Sequence, residues 1–279
     1  MSARAGGATR ASSGTPELGM GVFPRALAGK ATRRPARTST EGGKTIHLVR
    51  HGRTEMNEYL RENHWADPGF KDPMMIDTRL TREGERQARA LAERTSMLEP
   101  RPELIVASPL GRALRTAELA FGESGEYADV PRVACALARE RVFHGSDIGR
   151  VARELRAEHP EWDFTDLGDD EASWWYTPEG RDPFTTAELE PVDVFERRME
   201  AFREWLDARP ERTIAVVAHW GVCYSFTGDE FQNCELRTLD FDSEVIAGNG
   251  SFKKFDVFLQ DNIFGVIARA VVNLKQKLF

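Results

Sequence analysis

Three apolar runs in this sequence each stop at residues able to hold or attack an anion. Residues 45–49 lead straight into Arg50-His51-Gly52, so a cation, an imidazole and a backbone bare of side chain reach one point. Residues 104–107 lead into Ser108-Pro109-Leu110 and a helix-like stretch, 111–120, with Arg112 near its start. Residues 212–218 form the clearest strand-like run and end in His219-Trp220-Gly221. Taken singly, each signal is ordinary. A histidine after a strand commonly caps or packs, and an arginine in a first helical turn opposes the helix dipole and usually points to water. A bound anion reverses that second balance.

The elements that must position these residues are strands. Apolar, β-branched runs closed by Gly or Pro predict them. A parallel sheet gathers the ends of its strands on one edge, where open α/β sheets bind ligands. Pro109 fits a helix start, Ser108 is the expected N-cap, and Arg112 is then expected to point back toward the strand end. The expected architecture is α/β: three layers, α/β/α, with a mostly parallel central sheet.

These stretches together resemble the histidine phosphatase superfamily, in its phosphoglycerate-mutase-like branch. Residues 46–57, IHLVRHGRTEMN, resemble its opening motif, residues 108–117, SPLGRALRTA, its second, and residues 216–221, VVAHWG, its third. Residues 80–88, LTREGERQA, resemble the family's first helix, and the likeness spans about residues 45–240. Finer detail is similar to plant and protist phosphoglycerate-mutase-like proteins at 138–141, 162–164, 173–175 and 231–237. The resemblance implies that His51 is a nucleophile that becomes phosphorylated. It implies that Arg50, Arg112 and His219 form a phosphate pocket with Asn57 near it, and that Glu140 is the proton donor. The chain departs from the family pattern at Arg53, where Glu or Gln is usual, and at Trp220, where a small residue is usual. Both positions bear on substrate preference.

That chemistry is physically coherent. A phosphate monoester is dianionic near neutrality, so a neutral imidazole suits in-line attack better than an anionic nucleophile. Two guanidiniums and a protonated second histidine would hold the equatorial oxygens, and arginine's planar fork suits the task. The leaving oxygen needs a proton, which a carboxyl of raised pKa can supply. Glu140 has two rivals, Glu55 and Asp147. Among the other histidines, His47 alternates within the first strand and is expected to pack. His64, His144 and His159 lie in polar segments and are expected at the surface, with lining the pocket a second role open to His144.

Composition bounds what remains. Three cysteines without a CxxC argue against a disulfide framework and for a reducing compartment. There is no zinc-type ligand spacing and no EF-hand loop, so no metal and no cofactor are expected. The net charge is −7. Residues 1–44 hold eight Lys/Arg against two Asp/Glu, a net of +6, which leaves −13 on the remainder. That balance disfavours nucleic acid and anionic membranes as general partners, and it makes the positive pocket for the small phosphorylated substrate that the resemblance implies a local feature of an acidic surface. The oligomeric state is not legible.

Residues 1–44, rich in Ala, Arg, Ser and Thr, have the composition of an organellar transit peptide for plastid or mitochondrion. A plain disordered tail on a cytoplasmic protein is the alternative. Residues 45–279 are expected as one catalytic domain that ends in a helix over 255–279, packed on the body and too interrupted to insert stably in a membrane. Residues 160–186, acidic and aromatic, are read either as a lid over the pocket or as a packed surface excursion. The functional expectation is a metal-independent phosphomonoester hydrolase working through a phosphohistidine. Phosphoglycerate-mutase-type transfer and a non-catalytic phosphate-binding or scaffold role on the same fold are the alternatives.

Overall fold

The computed structural model describes residues 43–122 and 125–241. The expected leader within 1–44, apart from its last two residues, and the expected helix over 255–279 lie outside the described residues. The chain runs β1 (Lys44–Arg50), α1 (Glu55–Glu62), α2 (Arg82–Thr95), β2 (Leu104–Ala107) and α3 (Gly111–Phe121). It continues through β3 (Arg132–Ala134), α4 (Ala152–Glu158), α5 (Val192–Ala208), β4 (Thr213–Ala218), α6 (Trp220–Thr227) and β5 (Leu236–Phe241).

The strands form one sheet in the order β3-β2-β4-β1-β5. Every pairing is parallel except β1 with β5, which is antiparallel. Every residue of β2 and β4 is buried, which is why each reads as an unbroken apolar run. Alternation along the strands serves two cores. Ile105, Ala107, Ala215 and Val217 face the layer that holds α2 and α3. Leu104, Val106, Ile214 and Val216 face α5 and α6. The expected three-layer α/β/α arrangement is the one observed. Because β1, β2 and β4 are mutually parallel through β4, their carboxyl ends at Arg50, Ala107 and Ala218 lie on one edge.

The structure corrects the expected cap on α3 and decides between the two readings of 160–186. Ser108 is not the N-cap of α3. The helix starts at Gly111 after Leu110, with no side-chain cap of its own, and Asp77 accepts the Gly111 N–H at 2.8 Å instead. Strand β3 ends at Ala134, and a buried 3-10 turn, Ala136–Ala138, carries the chain on toward Glu140. Helix α2, which resembles a family first helix, is the second here; α1 precedes it, capped reciprocally by Thr54 and Asn57. The 160–186 segment is the packed alternative, not a lid: Trp162, Trp174 and Trp175 are buried in the α3-side core. Trp174 donates to the Arg150 carbonyl at 2.8 Å and rests where any side chain at Gly149 would collide with it.

Candidate active site

The loop after β1 is pinned from several sides. The His51 N–H bonds to the Ala218 carbonyl at 3.0 Å, and the Gly52 N–H to Thr116 Oγ1 at 3.0 Å. The Cys234 N–H reaches the Arg50 carbonyl at 3.0 Å, and Asn233 Nδ2 the His51 carbonyl at 3.0 Å. Gly52 and Gly84 must lack side chains, since a Cβ on Gly52 would strike the backbone of Gly84 in α2, and a Cβ on Gly84 the backbone of Arg53. The 231–237 stretch singled out in the sequence therefore has a structural function: it clamps Arg50 and His51 from the α6–β5 connection.

His51 is buried. Its Nδ1 lies 2.7 Å from the Gly52 carbonyl oxygen, which can only accept, so Nδ1 carries the proton and Nε2 keeps its lone pair. Burial, then the Arg112 and Arg50 charges, holds the imidazole well below the usual 6.5. His219 lies beside it, the ring centroids 5.1 Å apart. Arg112 Nε donates to His219 Nδ1 at 3.3 Å, which places the His219 proton on Nε2. That Nε2 is buried without a hydrogen-bond partner. Burial and Arg112 lower the His219 pKa as well, so the expected protonated second histidine is a neutral imidazole with one donor.

Arg112 is buried in the first turn of α3 and points back toward the strand edge, as expected. Its Nη2 pairs with Asp147 Oδ1 at 2.8 Å and its Nη1 with the Ser146 carbonyl at 2.5 Å. Arg50 Nη1 donates to the Phe231 carbonyl at 2.5 Å, while its Nε is buried without a partner. Asn57 lines the same cavity. Its Oδ1 accepts from the Thr54 N–H at 3.2 Å and from Asn233 Nδ2 at 3.3 Å, so only its amide N–H groups remain for a ligand.

Glu140 also lines the cavity. Its Oε1 accepts the Arg141 N–H at 2.8 Å and its Oε2 the Gly221 N–H at 3.1 Å, at the start of α6. Burial, followed by repulsion from Asp147, raises its carboxyl above the ordinary glutamate value; the two N–H bonds oppose this only in part. Of the rivals, Asp147 lines the cavity but is committed to Arg112 and to the Phe143 and His144 N–H groups at 3.1 Å. Glu55 is exposed and does not line the cavity. Among the described residues, no group of three or more His, Cys, Asp or Glu is placed to hold a metal ion.

Sequence reasoning missed two supports. Arg198, fully buried, donates to the Leu137 and Arg139 carbonyls at 2.9 and 2.7 Å and pairs with Glu190 at 3.0 Å. Arg139 Nη2 pairs with Glu190 at 2.9 Å, and burial plus Arg198 pushes the Arg139 guanidinium down to about 9. This cluster fixes the 137–142 segment that presents Glu140, and nothing in the sequence around Glu190 signals it. The second support is the cavity wall, with Leu60, Trp65 and Phe143. Its residues lie in segments too polar or too short to read as functional.

The other histidines divide differently from expectation. His47 is buried and bonded to Thr238 Oγ1 and the Pro100 carbonyl, as expected. His64 is exposed. His144 is buried and lines the cavity. His159 is buried rather than at the surface, its Nδ1 2.6 Å from Glu118 Oε1, because the turn after α4 folds it onto α3.

This is an α/β protein with two imidazoles and two guanidiniums gathered at the carboxyl ends of its parallel strands. The chain belongs to the histidine phosphatase superfamily, branch 1, which it matches over residues 46–242. It is 29% identical over 238 residues to a "Phosphoglycerate mutase-like protein" of Arabidopsis thaliana, covering 70% of this chain and 83% of that protein. It is 26% identical over 180 residues to a "probable phosphatase" of Schizosaccharomyces pombe, covering 63% of this chain and 74% of that one. Among solved structures, a phosphoglycerate mutase of Bacillus anthracis aligns with a TM-score of 0.45 at 19% identity, over 72% of this chain and 89% of that one. Among the described residues, no helix is long and apolar enough to cross a membrane.

Proposed function

We propose that the protein is a phosphomonoester hydrolase that works through a phosphohistidine at His51. The observation that carries this reading is the state of the His51 ring. Its Nδ1 proton is spent on the Gly52 carbonyl, and its Nε2 lone pair is kept available by a pKa well below 6.5. Nε2 attacks phosphorus and the ester P–O bond breaks. Arg50, Arg112, the His219 Nε2–H and the Asn57 amide hold the phosphoryl oxygens as their charge redistributes. Glu140, protonated because burial raises its pKa, gives its proton to the departing alkoxide. In the second step a water attacks phosphorus and passes a proton to the Glu140 carboxylate. The N–P bond breaks, phosphate leaves, and both residues are restored.

The superfamily match and the name "probable phosphatase" on one relative support hydrolysis. The test is labelling. Wild-type protein given a phosphomonoester should carry acid-labile phosphate, and His51→Ala should lose both the label and turnover. Label retained in His51→Ala would overturn the assignment. Turnover of 3-phosphoglycerate to its isomer without phosphate release would mark a mutase, and neither activity would mark a binding protein. Because arginines supply the positive charge, chelator should leave the rate within about twofold. A tenfold loss, about 1.4 kcal/mol of barrier, restored by one metal ion, would refute metal independence.

A further inference from the structure

The cavity that opens from His51 and Glu140 has a volume of about 390 Å³, far more than a phosphoryl group needs. Its outer wall is apolar and aromatic. Helix α1 contributes Met56 and Leu60, the following loop Trp65, the 141–144 segment Phe143, and the start of α6 Trp220. Leu60, Trp65, Phe143 and Trp220 are only half-buried, so they keep apolar surface available to a ligand. The wall is ordered, not a loose rim. Trp65 meets Phe143 edge to face at 5.5 Å, Phe143 meets His144 edge to face at 4.5 Å, and Trp220 stacks on Tyr224 at 5.3 Å.

The charges in the cavity lie elsewhere. Among its lining residues the arginines are Arg50, Arg112 and Arg141. The first two flank His51, and Arg141 Nε is bound to the Glu190 carbonyl at 2.7 Å. Glu140, protonated in the proposed mechanism, and Asp147, paired with Arg112, offer no cation to a second anionic group on the substrate. Burial lowers the pKa of His144, which favours its neutral form.

We infer that the substrate is the phosphate monoester of a bulky, uncharged apolar or aromatic alcohol, with that alcohol seated against Leu60, Trp65, Phe143 and Trp220. This rests on the phosphohydrolase reading and specifies its substrate class. Trp220, which departs from the family pattern, is then part of the specificity surface.

The test pairs esters of similar leaving ability: 2-naphthyl with phenyl phosphate, and octyl phosphate with glycerol 2-phosphate. The apolar member of each pair should be preferred in kcat/KM on the order of tenfold or more, the discrimination that one or two buried methylenes give in an apolar pocket. Trp65→Ala and Phe143→Ala should bring that ratio toward one. Leu60→Arg should shift relative kcat/KM toward 3-phosphoglycerate by placing a cation on the wall. This last variant gains an activity, so misfolding cannot imitate it. Turnover without apolar preference, or wild-type preference for 3-phosphoglycerate, would overturn the substrate class and leave the hydrolase reading intact. Failure of every ester, with no phosphate on His51, would remove both.

Discussion

At the scale of single residues, two pKa shifts in opposite directions suit the proton chemistry proposed for His51 and Glu140. His51 must be neutral to attack, and its pKa lies below 6.5 because burial and two arginines oppose the imidazolium. Glu140 must be protonated to donate, and its pKa lies above 4.5 because burial and Asp147 oppose the carboxylate. The rate should therefore fall as pH drops through the His51 value and fall again as pH rises through the Glu140 value. Glu140→Gln cannot titrate and should lose the alkaline limb. General acid catalysis typically contributes about 10²- to 10⁴-fold, so the variant should phosphorylate His51 far more slowly from an alkyl phosphate. With nitrophenyl phosphate the loss should be small, since nitrophenolate leaves unaided. Single-turnover phosphorylation is the step to measure, because dephosphorylation also needs the base. An equal loss with both esters, or an alkaline limb unchanged in Glu140→Gln, would remove Glu140 from the role.

At the scale of elements, Glu140 is held by the start of α6, and Gly221 is the position that permits it. A Cβ at Gly221 would lie 2.4 Å from Glu140 Oε1. The atom in the way is the end of a side chain, so the fold can yield at low cost while the carboxyl is displaced. Gly221→Ala should therefore copy the leaving-group signature of Glu140→Gln while leaving Tm nearly unchanged. A loss of Tm with no leaving-group dependence would mean that Gly221 serves packing alone. What was legible in the sequence follows the same physics. Strands β2 and β4 are buried on both faces and read as apolar runs, and the Arg and His residues at the strand ends are conspicuous against them. The 3-10 turn at Ala136–Ala138 is equally buried, so its apolar residues look no different from those of a strand. The tryptophans of 160–186 fill a core, yet their composition suits a lid as well. Trp65 lines the cavity from a segment of His, Asn, Asp and Gly that has no period to betray it. The cap on α3 comes from Asp77, 34 residues upstream of Gly111, and no local pattern can report it.

At the scale of the whole molecule, the fold stores four imidazoles in environments that oppose their protonation. His51 and His144 line the cavity, His219 stands beside His51, and His47 lies in β1 bonded to Thr238 and the Pro100 carbonyl. In all four, burial is the largest cause of a pKa below 6.5. The sign follows from linkage. As pH falls through 6.5 the unfolded chain takes up protons that the folded chain refuses, so unfolding becomes more favourable. The full stability contribution is present above 6.5 and declines below it, by at most about 1.4 kcal/mol per pH unit for each histidine. Glu140 and Asp166, with raised pKa values, act in the opposite sense between their unfolded values and their raised folded ones, and so offset part of this decline. Tm at constant ionic strength should thus fall between about pH 7.5 and 5.5, well before carboxylates in the unfolded chain begin to protonate. His47 lies away from the cavity and makes two hydrogen bonds that an amide can replace. His47→Gln should therefore flatten the decline without touching the site. A Tm that stays level or rises as pH falls through this window would show that the buried imidazoles are not what limits the folded state in acid.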